Sequence, residues 1–415
     1  MLSLVPRQPA TDEPPPAPSK RSLRGLDWFV FCVADVQTGF GPFVAVYLTT
    51  EKWTQVDIGL VLSVAGLVAL VGQVPGGTLV DIARSERLVA GLAIGAISAS
   101  ALIYAGWPIF PAVLAAAVLH AAASCVLGPA MAAISLGLVG HAAIGERFGR
   151  NARFASIGNS LAAAAMGACG YFLSARAVFI VTAILLVPAL LALRMISSRE
   201  INIERSHGGV PKPAARNTIS FRHLLRQRPL LILGCCLALF HLANAAMLPL
   251  MGSVLTTRSS EWATALIAAC IVVPPLIVAA IAPWVGRQSN VWGRRPLLLL
   301  GFAALPIRGL LFATVSESYL LVVVQLLDGL TAAVLGVLVP LMIADLTRGS
   351  GRFNSAQGVI GMMVGIGASG SPTLAGYLAD YAGSRAAFLG LTAIAVAAFV
   401  AVLVLMRETR PQHES

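Results

Sequence analysis

The feature that most constrains this chain is recurrence: apolar stretches long enough to cross a bilayer return one after another along its 415 residues. A hydrocarbon core about 30 Å thick takes a helix of roughly 20 apolar residues. Twelve spans are read from these runs, near 26–49, 56–80, 86–107, 109–139, 155–174, 177–196, 229–255, 262–284, 296–315, 319–345, 356–379 and 386–406. Barrel strands would show short alternating segments, and these runs do not alternate. Charged residues make up only 11% of the chain and hydrophobic residues 57%. A soluble domain carries roughly 25% charged residues to wet its surface. Lipid must therefore cover this one, and the expected fold class is an all-α polytopic membrane protein.

A net charge of +11 raises the question of nucleic acid. The placement of the charge answers it. Under the twelve-span reading, every Lys and Arg falls on one side except Lys52, Arg176, Arg258, Arg385 and the intramembrane Arg308. That split follows the positive-inside rule and predicts a bacterial inner-membrane protein with both termini cytoplasmic. Nucleic acid is excluded as a partner, and contact with anionic lipid is a secondary reading.

The six cysteines (Cys32, Cys125, Cys169, Cys235, Cys236, Cys270) all fall within predicted spans, so no disulfide framework is expected. Residues 1–24 are Pro-rich and polar, and read as a disordered cytoplasmic tail, not as a signal peptide. A first six-helix half follows at 25–196. Residues 197–228 contain Gly208-Gly209, Pro211 and Pro213 and read as a basic linker, with some helix expected near Phe221–Gln227. A second half runs over 229–406, and a short tail over 407–415.

The halves echo each other. Leu119-His120-Ala-Ala-Ala-Ser-Cys-Val126-Leu127-Gly128 in span 4 matches Leu327-Asp328-Gly-Leu-Thr-Ala-Ala-Val334-Leu335-Gly336 in span 10 at a shift of 208. Pro42 and Pro249 align at 207. Arg153-Phe154-Ala-Ser156 and Arg352-Phe353-Asn-Ser355 align at 199. Gly77-Thr-Leu-Val-Asp81 after span 2 aligns with Gly286-Arg-Gln-Ser-Asn290-Val-Trp-Gly293-Arg294-Arg295 after span 8, at 209. Repeated halves with a site between them are a transporter architecture.

The element after spans 2 and 8 resembles the signature loop of the major facilitator superfamily. The first copy keeps Gly77, Leu79 and Asp81, but has Arg84, Ser85 and Glu86 where Gly and two basic residues are usual. The second keeps Gly286, Gly293, Arg294 and Arg295, with Asn290 in place of Asp. The resemblance covers the chain from about residue 25. It implies twelve helices in two pseudo-symmetric halves, and transport of a small solute by a monomer through alternating access. It also implies that Asp81 bonds across to the second half and latches one conformation. An Asp there can cap a neighbouring helix N-terminus and complement its dipole.

An ionisable group inside a span is a functional candidate because it is costly unless paired or wet. Asp35 and Gln37 lie in span 1; His241 and Asn244 lie at similar depth in span 7. The resemblance makes spans 1, 4, 7 and 10 the walls of the central cavity, which puts all four near the substrate path. His120 and Asp328 are repeat equivalents. Arg308 in span 9 and Asp328 in span 10 reach comparable depth from a shared short loop, and predict an ion pair, structural or part of coupling. Apolar surroundings disfavour the charged form of an unpaired carboxylate. Asp35 is therefore the first candidate for a coupling proton, His241 the second and His120 the third.

No Walker loop, metal-site spacing or nucleophile elbow occurs, so neither an enzyme nor an ATP-driven pump is expected, and no cofactor or metal. Gly370-Ser-Pro372 in span 11 is loosely similar to the family's antiporter signature. It tilts the reading toward proton-coupled efflux, in a drug- or solute-exporting branch. The alternative is a symporter importing a nutrient or a siderophore-like solute.

Overall fold

A computed structural model describes residues 18–38, 41–209, 226–258 and 263–410. Among them the chain is helical, with no strand. Nine helices are long and apolar enough to cross a membrane. Two of these hold a pair of spans each. Phe110–Phe172 is broken at Gly140, where φ is +70°, and Phe353–Leu405 is broken at Gly383, where φ is +84°. With the paired helices Lys20–Thr38 and Gly41–Thr50 at the start, the twelve-span bundle is complete.

The helix boundaries depart from the sequence reading where a helix outruns the apolar stretch. Residues 141–154 were expected as loop, yet they extend span 5 as helix. Two of their three arginines, Arg147 and Arg150, reach a buried acid, while Arg153 is exposed. Asp27 receives Arg147 at 2.5 Å and Arg150 at 2.6 and 2.9 Å. Span 1 likewise starts at Lys20, inside the expected tail, with the Ser19 hydroxyl accepting from the Ser22 amide.

Two hydrophobic clusters organise the bundle. One is built from residues between Leu26 and Ile201. The other spans Leu230–Met406 and takes in Ala132, Leu136, Ile144 and Phe148 from spans 4 and 5. Lipid tails are as apolar as leucine, so helices in a bilayer associate through close backbone approach at small residues. Two such crossings join the halves at the Arg-rich end of the bundle. Span 2 meets span 11 where Gly358 faces the Gln73 carbonyl and Gly77 faces the Asn354 carbonyl. Span 5 meets span 8 where Gly145 and Gly286 are in mutual contact and a Cβ on Gly149 would lie 2.5 Å from the Ala282 carbonyl. The pairs obey the repeat: Gly77 and Asn354 are the equivalents of Gly286 and Gly145, each at a shift of 209.

Away from that end the seam between spans 2 and 11 widens. Gly361 and Gly365 meet only the side chains of Gln73 and Leu70, and Gly66 faces open space. A cavity of about 550 Å³ opens there, lined by Ser63, Leu67 and Ser369 among others. The seam between spans 2 and 11 is thus closed at its Arg-rich end and parted toward the other.

The linker is partly folded. Residues 197–209 form a 3-10 turn, Ser198–Glu200, and a short helix, Ile203–Ser206, that dock on both halves. The Asn202 amide donates to the Gly137 carbonyl at 3.1 Å. The Gly349 amide donates to the Gly208 carbonyl at 2.6 Å, and Asn354 Nδ2 to the Ser206 carbonyl at 3.2 Å. The helix expected near Phe221–Gln227 lies almost wholly outside the described residues.

Candidate functional site: a cavity with an ion pair and a seam held by Asp81

Spans 7 and 10 are each broken in two, and the breaks flank one cavity. Span 7 stops at Asn244 and resumes at Met247. Between them the Ala246 amide donates to Ser371 Oγ at 2.9 Å, so the freed backbone group has a partner. Span 10 stops at Val324 and resumes at Leu326. Gln325 between them keeps helical backbone angles, and the Asp328 amide donates to its carbonyl at 3.0 Å, so Asp328 sits one tight turn past the irregularity.

Arg308 reaches this point from span 9 with its side chain only 2% exposed. It donates one nitrogen to Asp328 Oδ1 and another to Asn244 Oδ1, and Met247 Sδ lies 3.4 Å away. Gln325 Nε2 approaches the second oxygen of Asp328 at 3.4 Å. The carboxylate of Asp328 is 27% exposed, toward a cavity of about 430 Å³. His241, Asn244 and Thr331 share that wall; Leu237, Phe240, Leu335 and Val364 make the apolar remainder. Pro340 lies between this cavity and a second of about 270 Å³, lined by Gln73, Asn151 and Gln357. Gln73 in turn borders the opening between spans 2 and 11. A chain of cavities thus leads from the parted end to Asp328.

The structure brings together His241, Asn244, Arg308 and Asp328. It does not bring His120 to them: His120 is half-buried on span 4 and does not line this cavity. The side chains of Asp35 and Gln37 lie outside the described residues; their backbone forms the last turn of Lys20–Thr38. Sequence reasoning overlooked Gln325, Met247 and Gln73. The glutamines carried a signal, being polar side chains within apolar runs.

The second site is the seam itself. Asp81 accepts four hydrogen bonds from the start of span 11. They come from the Asn354 amide at 3.1 Å, Asn354 Nδ2 at 3.0 Å, the Ser355 amide at 2.7 Å and Ser355 Oγ at 2.5 Å. Arg84, two residues past the helix end, is exposed. Glu86, where the family has a basic residue, is buried. It accepts from the linker's Ser206 hydroxyl and lies 3.4 Å from His207 Nε2. The departure from the motif is thus a docking point for the linker.

The second motif copy works differently. Gly293 has φ of +91° and caps span 9, and a Cβ there would press on Glu408. Asn290 accepts from Arg294 Nη1 at 3.2 Å. Arg294 is buried, pairs with Asp345 at 3.0 Å and donates to the Ser289 carbonyl at 2.6 Å. Glu408, in the expected tail, caps span 9 through the amides of Arg294 at 2.8 Å and Arg295 at 3.0 Å. Burial works against its charge, but four backbone amides outweigh burial and hold its carboxyl below the usual range. Arg295 Nη2 reaches the Leu403 carbonyl at 2.6 Å.

Among the described residues no cluster of three or more His, Cys, Asp or Glu could hold a metal ion. A multi-pass helical bundle with a buried ion pair on an internal cavity belongs to the class of membrane transport proteins. The sequence profile of the Major Facilitator Superfamily matches residues 28–281 and 235–415. The chain is 40% identical over 400 residues to an uncharacterized MFS-type transporter of Mycobacterium tuberculosis, covering 94% of each. It is 31% identical to the class B tetracycline resistance protein of Escherichia coli over 140 residues, 34% of each chain. In fold it is similar to the transporter FucP (TM-score 0.71, 15% identity, 92% of this chain and 97% of that one). It is similar too to the human organic anion transporter MFSD10 (TM-score 0.69, 17% identity, 92% and 99%). The chain belongs to the major facilitator superfamily: it is a multi-pass membrane transporter of small molecules and not an enzyme.

Proposed function

We propose that this transporter is a proton-coupled exporter of a small, largely apolar solute. In this reading it is a monomer in the bacterial inner membrane with its Arg-rich face in the cytoplasm. The observation that carries the reading is the cavity beside spans 7 and 10. One wall offers His241, Asn244 and an Asp328 already paired with Arg308, and the rest is apolar. Arg308 cannot give up its charge, so protonating Asp328 would strand a buried cation. Asp328 with Arg308 and Asn244 is a fixed recognition point for a polar group on the solute. The moving proton is assigned to the other ionisable groups inside the spans: Asp35 first, His241 second and His120 third. Relatives named for tetracycline resistance, over about a third of the chain, support export.

The closed Arg-rich end and the parted opposite end correspond to an outward-facing state, in which the solute leaves and a proton enters. The test is the purified protein in liposomes with an imposed pH gradient, read as solute movement and its direction. Efflux-oriented exchange is expected, and Asp35→Asn should abolish gradient drive while solute still exchanges down its own gradient. Accumulation of solute together with protons would establish the importing alternative. Undiminished coupling in Asp35→Asn would remove that residue from the mechanism.

A further inference from the structure

Lys20, Arg24 and Trp28 recur every four residues along the first helix, so they form one stripe, and all three are exposed. Lys20 and Arg24 face the start of span 5 across a cavity of about 360 Å³, and Trp28 lies one turn further along the same helix. Four cations line the cavity, Lys20, Arg24, Arg147 and Arg150, with one carboxylate, Glu146. Beneath them Asp27, only 3% exposed, is shared by Arg147 and Arg150. Four positive charges against two negative ones leave the cavity with an excess of two. Arg150 keeps its side chain 55% exposed even while paired, so it can bond a second anion.

The cavity is also amphipathic. Leu23 and Val139 contribute apolar wall. The Arg150 guanidinium lies 5.7 Å from the ring centre of Phe154, and Phe154 packs edge-on to Trp28 at 6.5 Å. Exposed tryptophan marks the level of the headgroups at a membrane surface. A basic pocket between helices at that level, on the face that meets anionic lipids, suits a lipid phosphate.

We propose that this cavity binds the headgroup of an anionic phospholipid, its phosphate between Lys20, Arg24 and Arg150 and its chains along the aromatic pair. The site is remote from the transport cavity. Its assignment to the inner leaflet rests on the reading of the Arg-rich face as cytoplasmic. A soluble phosphate offers the same anion but leaves the apolar wall and Trp28 unused, which favours lipid.

The test uses the full chain in neutral detergent, where binding does not depend on orientation. Phosphatidylglycerol, phosphatidylcholine or inorganic phosphate is added, and lipid retention is read by native mass spectrometry alongside the melting temperature. Phosphatidylglycerol should be retained and raise the melting temperature; phosphatidylcholine and inorganic phosphate should not. Lys20→Gln with Arg24→Gln should weaken phosphatidylglycerol retention at least tenfold and leave the lipid-free melting temperature unchanged. Arg348→Gln, a basic change elsewhere on the same face, should keep it. Equal retention of both lipids, full stabilisation by inorganic phosphate, or undiminished retention in the double variant would each overturn the proposal. Sidedness is read separately, by impermeant labelling of Arg348→Cys in oriented membranes, so a wrong topology would show without touching the binding result.

Discussion

Asp81→Asn is expected to open the Arg-rich end of the bundle and to cut transport at least tenfold. The reason is the number of donors aimed at one carboxylate. Two backbone amides, a side-chain amide and a hydroxyl, all at the start of span 11, converge on its two oxygens. Asparagine keeps one acceptor and turns an NH₂ group toward donors. Hydrogen bonds to a charged acceptor contribute about 1.5–3 kcal/mol each. A net loss of about 3 kcal/mol in the closed state shifts the equilibrium roughly 100-fold. The bonds exist only while the seam is closed, so the loss falls on one conformation and not on folding as a whole. A cysteine placed at Gln357, which lines the cavity above the seam, should become reachable by an impermeant maleimide from the Arg-rich side. If reactivity and transport both stay at the parent level, Asp81 is no latch.

Arg308→Ala is expected to reduce folded yield severely, and Asp328→Ala added to it should restore much of that yield. Removing one partner of a buried ion pair leaves an uncompensated charge and costs about 3–5 kcal/mol, whereas removing both is often near neutral. Here the single change strands Asp328, and Asn244 also loses its donor. Yield is measured as the monodisperse fraction by size-exclusion chromatography in detergent. Transport should remain lost in the double variant, because the polar wall of the cavity goes with the pair. A double variant that folds no better than Arg308→Ala would show that the pair does not account for the cost. One that transports normally would make the pair purely structural.

Much of the fold was legible in the sequence because lipid imposes a simple rule, a long apolar run for each crossing. The rule fails where a helix continues beyond the bilayer. Arg147, Arg150 and Arg153 look like loop residues by composition, yet they ride on helix because Asp27, over a hundred residues earlier, meets two of them. The linker failed for a related reason. Gly208 and Gly209 do break the chain, with φ of +102° and +74°, but Ser206 and His207 just before them dock on Glu86. Nothing local in residues 201–209 announces a partner on span 3. The Asp328–Arg308 pair was readable from depth alone, since an unpaired arginine in lipid is untenable. The match between His120 and Asp328 was readable as repetition, but His120 does not line the cavity that holds Asp328, which formed beside the second half.

The most direct test of the account is a pair of spin-label distances in the same protein, one at each end of the seam between spans 2 and 11. Ser63→Cys with Ser369→Cys reports the parted end; Arg84→Cys with Arg348→Cys reports the Arg-rich end. A long distance is expected at the first pair and a short one at the second. Asp81→Asn should reverse both together, shortening the first and lengthening the second. Distances that move in the same sense, or an Asp81→Asn protein indistinguishable from its parent at both ends, would contradict the account.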